Sequence, residues 1–263
     1  MTFSLVGRCA ETGMLGVAVS SSSPAVAARC AHVRAGVGAA ASQNVTDPRL
    51  GPDLLDLMEA GLSAEQAIAA IQARPHIEFR QLTAVDRLGG TGAWSGSGTL
   101  GTHATRAAQD AVAAGNLLAS TAVVDAMLAG FGEAQGHLGD RLLAALEAAL
   151  AAGGEAGPVR SAGLLVADRE AWPVVDLRVD WHDRPVDELA AVWQVWRPQI
   201  QEYVIRALDP AGAPNFGVPG ELRDQIVGDR VRDVPLVAIF PADKRQHEDR
   251  QSRRGNCRRM PWP

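Results

Sequence analysis

The apolar pattern opens with two short runs, residues 3–9 and 14–20, separated by Glu11-Thr12-Gly13. Runs of that length around turn-forming residues predict a β-hairpin. A third strand-like run, residues 33–42, is built almost wholly from Gly, Ala and Ser. Such small residues suit close packing between layers, or a backbone approached by a ligand. The period then changes to helical. Residues 52–60 end at Gly61, a residue suited to the left-handed position after a helix. Ser63 with Gln66 three residues on has the spacing of a capping box, and opens a helix over 64–73.

Strand patterns return at 80–85 and 92–95, joined by a turn at 86–90, and again briefly at 112–114 before Gly115-Asn116. Ser120 is placed to cap a helix over 122–133, and a second covers 138–152 up to Gly153-Gly154. Strands at 161–167 and 174–179 follow, then a Trp-bearing helix over 186–208 that Pro198 should kink. Hairpins alternate with helix pairs, so repeating βαβ units are not expected. The order predicts an α/β (α+β) protein: two antiparallel sheets face to face with helices outside, a four-layer αββα sandwich.

Three segments are expected: a domain over 1–208, an irregular Pro/Gly-rich extension over 209–242 and a tail over 243–263. Residues 222–240 suggest a short helix and strand inside the extension. The tail has seven Lys or Arg against three acids and almost no apolar residues, which predicts a solvated, disordered segment.

Composition narrows the functional classes. The 263 residues carry a net charge of −5, which gives no general case for nucleic acid or an anionic membrane. No apolar run reaches the length of a membrane span, and no basic segment precedes an apolar core at the start, so a secretory leader is not expected. The cysteines (Cys9, Cys30 and Cys257) are three, without CxxC pairing. A zinc site or disulfide framework is not expected, and a cytoplasmic location is the simplest reading. The six histidines show no HExxH spacing, so neither a metal nor another cofactor is expected. Asp180-x-His182-Asp183 reads as a solvated turn rather than a ligand set.

The chemistry centres on Thr2. It follows Met1 and is small enough for Met1 to be removed, which would leave a hydroxyl and a free α-amine on one residue. An α-amine titrates near ~7.7–8.0, so it can take a proton from its own hydroxyl near neutral pH. Other polar residues gather where strands end. Ser21, in the run Ser20 to Ser23, either orients a nucleophile on the neighbouring strand or caps a local turn. Gln43 and Asn44 either bind substrate or make turn bonds before Asp47-Pro48. Gly115 and Asn116 suit oxyanion donation through backbone N–H and side-chain amide, or mark a simple turn. His103 and Asp180 complete the candidate substrate-binding set. Asp176, Arg178 and Asp180 share one strand face by alternation, either for a charged group or as a surface ion pair. Cys30 near His32 is a weaker Cys–His alternative.

Several segments in order resemble the bacterial family catalogued as domain of unknown function 1028: TFSLVGR at 2–8, ETGMLGVAVSS at 11–21, RAGVGAAASQNVTDPRLGP at 34–52, GNLLA at 115–119, RLLAALEAALAAGGE at 141–155, SAGLLV at 161–166 and PVVDLRVD at 173–180. The resemblance extends over roughly residues 2–220. It implies membership of the N-terminal-nucleophile (Ntn) hydrolase superfamily, hence an αββα sandwich and amide hydrolysis with Thr2 as nucleophile. Three departures stand out: Glu155 where Asp is expected, Val159-Arg160 before Ser161, and Ala114 before Gly115. The expected activity is therefore that of an Ntn-type amidohydrolase acting on a C–N bond of a small molecule or peptide, with a small-molecule amide as partner. The alternative is a non-catalytic binding or oligomerisation protein on the same fold. Pairing into a homo-oligomer stays open.

Overall fold

A computed structural model describes residues 2–213, and its elements run from Thr2 to Leu208. Residues 209–213 are turn and coil. The rest of the expected extension, including 222–240, and the tail at 243–263 lie outside the described residues.

The chain is mixed α/β with two antiparallel sheets. The opening hairpin forms as expected, β1 (Thr2–Arg8) against β2 (Leu15–Ser21). A short helical turn, α1 (Ala27–Cys30), follows. The run expected as one strand over 33–42 is instead a hairpin of β3 (Ala31–Arg34) and β4 (Gly38–Asn44). Gly36, with φ of 68°, makes the reversal, a left-handed conformation that costs glycine little. Helices α2 (Leu50–Glu59) and α3 (Ala64–Ile71) come next, and Ser63 and Gln66 form the reciprocal capping box. Gly61 takes φ of 101° after the first of them.

Strands β5 (Arg80–Asp86) and β6 (Thr91–Ser95) extend the second sheet. Strand β7 (Ala104–Ala108) was not foreseen: it is a sheet edge whose side chains are largely exposed, so it lacks apolar alternation. Strand β8 (Ala111–Asn116) is longer than its 112–114 nucleus. Helix α4 (Ala122–Glu133) starts without a side-chain cap, contrary to the role expected of Ser120. Helix α5 (Leu138–Ala151) is capped by the His137 ring, whose Nδ1 accepts from Gly139 N–H. Strands β9 (Ser161–Ala167) and β10 (Val175–Val179) close the first sheet. The last helix breaks at Pro198, into α6 (Pro185–Trp196), a 3-10 turn and α7 (Ile200–Leu208).

The six-stranded sheet runs β10-β9-β2-β1-β8-β7, and the four-stranded sheet β3-β4-β5-β6. Three apolar clusters order the packing. One lies between the six-stranded sheet and helices α4, α5 and α6, with Phe3, Leu142, Leu146 and Trp193 at its centre. Trp193 is wholly buried and donates through Nε1 to Asp140 Oδ1 at 2.8 Å. The second joins the two sheets through small side chains such as Val6, Val17, Ala39, Ala41 and Val112. The third seats α2 and α3 on the four-stranded sheet.

One glycine is needed for packing. A Cβ on Gly51, in the first turn of α2, would run into the His32 ring. Gly51→Ala should therefore destabilise by about 1–3 kcal/mol despite the better helix propensity of alanine, as chemical denaturation would show.

Candidate functional site

Strand β1 lies between β2 and β8, and its first described residue, Thr2, pairs with Asn116. The β1–β2 register, Phe3 opposite Ser20, continues to place Thr2 beside Ser21. Alternation puts Thr2, Ser4 and Val6 on the face that meets the four-stranded sheet. Thr2 is only 5% exposed, and its Oγ1 donates to Ser21 Oγ at 3.3 Å. Ser21 Oγ is 2.7 Å from Ser23 Oγ, which receives Arg29 Nη2 at 2.6 Å. Arg29 is held by the carbonyls of Pro24 and Ala25. A chain of hydroxyls thus leads from Thr2 to a fixed guanidinium.

A second network crosses between the sheets. Ser4 Oγ donates to Gln43 Oε1 at 2.7 Å, and Gln43 Nε2 donates to Gln81 Oε1 at 2.8 Å. Asn116 Nδ2 reaches the same Gln81 oxygen at 3.1 Å. Gln81 Nε2 donates to the Gly115 carbonyl at 3.1 Å and to Ser95 Oγ at 3.0 Å. A carbonyl can only accept, so the Gly115 contact settles which end of the Gln81 amide is nitrogen. That assignment in turn makes the Asn116 atom facing Gln81 its NH₂. Asn116 Oδ1 therefore points away from Gln81; it is buried and has no hydrogen-bond partner among the described residues. Sequence reading missed Ser4 and Gln81, because both sit in strands covered on both faces and alternation does not single them out.

The other expected residues divide. Gly115 lies in β8, where a Cβ would meet Leu118. Asn44 has φ of 74°, and its amide is used by the loop itself: Nδ2 donates to the Phe79 and Gly98 carbonyls, and Oδ1 accepts from Leu100 N–H. His103 is exposed, with Nδ1 2.9 Å from the Gly101 carbonyl. The β7–β8 register, Ala104 opposite Gly115, continues to place His103 beside Asn116. Asp180 is exposed and lies 3.8 Å from Arg178 as a surface ion pair; its carbonyl accepts from Ala25 N–H. Cys30 is close to Thr46 Oγ1, at 3.5 Å, and burial pushes its thiol pKa up, the wrong direction for a thiolate nucleophile. Among the described residues no cluster of His, Cys, Asp and Glu could hold a metal ion, and no helix is long and apolar enough to cross a membrane.

Glu155 is the unexpected member. It is 4% exposed, and both its carboxylate oxygens accept from Ser22 N–H at 3.1 Å. Burial raises its pKa from 4.5 to about 7, against the lowering effect of the Ser22 hydrogen bond. A carboxyl raised on folding binds its proton more tightly in the native state. Its contribution to stability is full below about pH 4.5 and is lost as pH rises towards 7. In the chain that retains Met1, Glu155→Gln should flatten that decline in a thermal-unfolding series over the same pH window.

A family model described as "Family of unknown function (DUF1028)" matches residues 2–189. The chain is also similar to the crystal structure of protein SPO2555 from Silicibacter pomeroyi, itself assigned to DUF1028: 30% identity, a TM-score of 0.69, and coverage of 74% of this chain and 88% of that one. No curated protein matches.

Proposed function

We propose, for a chain that belongs to the DUF1028 family of unknown function, hydrolysis of an amide C–N bond by Thr2 after removal of Met1. The observation that carries the reading is the setting of Thr2. A buried hydroxyl stands at the start of a central strand, beside an Asn116 amide whose orientation is fixed and whose Oδ1 lacks a partner. Helices over the outer face of each sheet, with an apolar cluster between the sheets, support the finer reading of an Ntn-hydrolase-like αββα sandwich.

In this mechanism the Thr2 hydroxyl oxygen attacks the substrate carbonyl carbon while its proton passes to the α-amine. The carbonyl π pair moves to oxygen. That oxyanion takes hydrogen bonds from backbone N–H groups near Gly115 and from the second Nδ2–H of Asn116, the first being held by Gln81. Collapse expels the amine, which receives the proton from the α-ammonium. Water then cleaves the Thr2 ester with the same α-amine as base. His103, exposed beside Asn116, is placed to touch substrate.

The test is a screen of amide and ureido compounds with protein whose first residue is shown by intact mass to be Thr2. Hydrolysis that disappears when Met1 is retained supports the reading; equal turnover with Met1 in place overturns it. The deep burial of Thr2 favours a second reading, a non-catalytic binding or oligomerisation protein. That reading predicts no turnover from either form.

A further inference from the structure

We propose that Glu155 is the seat of the Thr2 α-ammonium, the counter-charge that holds the amine against its own hydroxyl. The proposal rests on the loss of Met1 in the reading above, but not on hydrolysis.

Continued past Thr2, the β1–β2 register faces Ser22 and the β1–β8 register faces Leu117. Glu155 is anchored on both of those sides. Its backbone forms a bridge to Leu118, and the next residue donates from Ala156 N–H to the Leu117 carbonyl. Its carboxylate, on the opposite side, holds Ser22 N–H. Glu155 therefore spans from one neighbour of β1 to the other, across the point where β1 begins. The nitrogen of Thr2 enters the sheet at that point.

The segment that carries Glu155 is fixed. Gly154 N–H donates to the Ala149 carbonyl, and the Gly154 carbonyl accepts from Ala119 N–H. Gly153 and Gly154, with φ of 108° and 56°, allow the tight exit from α5 that brings the side chain inward. A carboxylate placed this deep is costly unless a cation or several donors meet it. Ser22 N–H is one donor. An α-ammonium at the head of β1 would supply the charge.

The chemistry follows. Attack by the Thr2 hydroxyl delivers a proton to the α-amine and creates an ammonium. An adjacent carboxylate stabilises that ammonium without itself being protonated. Glu155 thus acts through the amine, as a positioning residue. The other groups at this end are few. The β2 end offers Ser21, Ser22 and Ser23. The β8 side offers Asn116, Leu117 and Leu118, with His103 exposed beside Asn116 and its Nδ1 turned to the Gly101 carbonyl. Arg29 of α1 is committed to Ser23 Oγ. Arg160, ahead of β9, donates its backbone N–H to the Ser21 carbonyl and turns its guanidinium to Asp183. Asp180 and Asp183 are engaged further along, by Arg178 and Arg160; among the described residues Glu155 is the acidic side chain that bonds the chain flanking the start of β1.

The test uses the full chain released from a cleavable N-terminal fusion that leaves Thr2 first, confirmed by intact mass. The chain has a single lysine, Lys244, so ¹³C-methylation of amines labels only two sites. The pKa of the α-amine is read by NMR titration. Above the ordinary range of about 7.7–8.0 is expected, and Glu155→Gln should lower it by about one unit or more. Glu155→Asp, which keeps the charge but shortens its reach, should fall between the two. An unchanged amine pKa in Glu155→Gln overturns the proposal. Should that variant not fold, a wild-type value at or below the ordinary range overturns it instead. Thr2→Ala keeps the amine and should keep the Glu155-dependent shift. A chain that shows the shift but hydrolyses nothing overturns the hydrolase reading alone. One that hydrolyses without the shift overturns this proposal alone.

Discussion

Thr2→Ala should reduce amide hydrolysis by at least about 10⁴-fold, the scale on which removing a covalent nucleophile acts. The same change removes one buried hydroxyl, which donates to Ser21 Oγ at 3.3 Å, so stability should fall by about 1 kcal/mol. The two readouts separate chemistry from folding: a large fall in kcat/KM with a small shift in Tm is the expected pair. Thr2→Ser keeps the hydroxyl and should retain much of the rate. In the described geometry the hydroxyl proton points to Ser21. Attack requires it to turn towards the α-amine, which is a rotation about one bond and no change of backbone. Ser21→Ala should therefore cost far less than Thr2→Ala, because Ser21 orients the hydroxyl but does not take its proton. Full turnover by the Thr2→Ala protein would end the nucleophile reading.

Much of this arrangement was legible in the chain, for reasons that differ by residue. The opening hairpin and the helix after Ser63 follow from local rules, alternation and capping, which need no tertiary information. The same holds for the break at Pro198. Strand β7 was hidden because an exposed edge carries no apolar signature. The 33–42 run concealed a hairpin because Ala and Gly read alike in strand and turn, and only the left-handed Gly36 decides. Within the site, Thr2 and Asn116 were visible as polar residues at strand ends, and their pairing across β1 and β8 is a matter of register. Gln81 was not, since a glutamine amid Leu, Thr and Ala looks like an ordinary strand residue until the second sheet covers it. Glu155 was noticed only as a departure from the family pattern. Its meaning depends on a loop that returns over the start of β1, a contact between residues more than a hundred positions apart.

Gln81 is where stability and chemistry meet, and Gln81→Leu should lose about 3–5 kcal/mol. The residue is wholly buried, and a leucine of similar size would fill its space. The cost comes from the partners left behind: the Gln43 and Asn116 amide nitrogens, the Gly115 carbonyl and Ser95 Oγ. Each buried polar group deprived of its bond costs roughly 1–3 kcal/mol, and some of them will relax towards one another. Urea unfolding measures the sum. Gln81→Glu separates donation from acceptance. Its oxygens can still receive Gln43 and Asn116, but a carboxylate presents negative charge to the Gly115 carbonyl. Burial and that repulsion both favour the protonated form, which alone can donate there. Gln81→Glu should accordingly be weakened at neutral pH and regain stability as the pH falls, the opposite of a paired surface carboxylate. Activity follows the same bond. With Gln81 gone, nothing fixes the Asn116 amide, and the loss should approach the roughly 10²-fold expected for Asn116→Ala. In a double-mutant cycle the Gln81→Leu change should then add little to Asn116→Ala, because both remove one oriented amide. Additive losses would mean that Gln81 serves the site by some route other than Asn116.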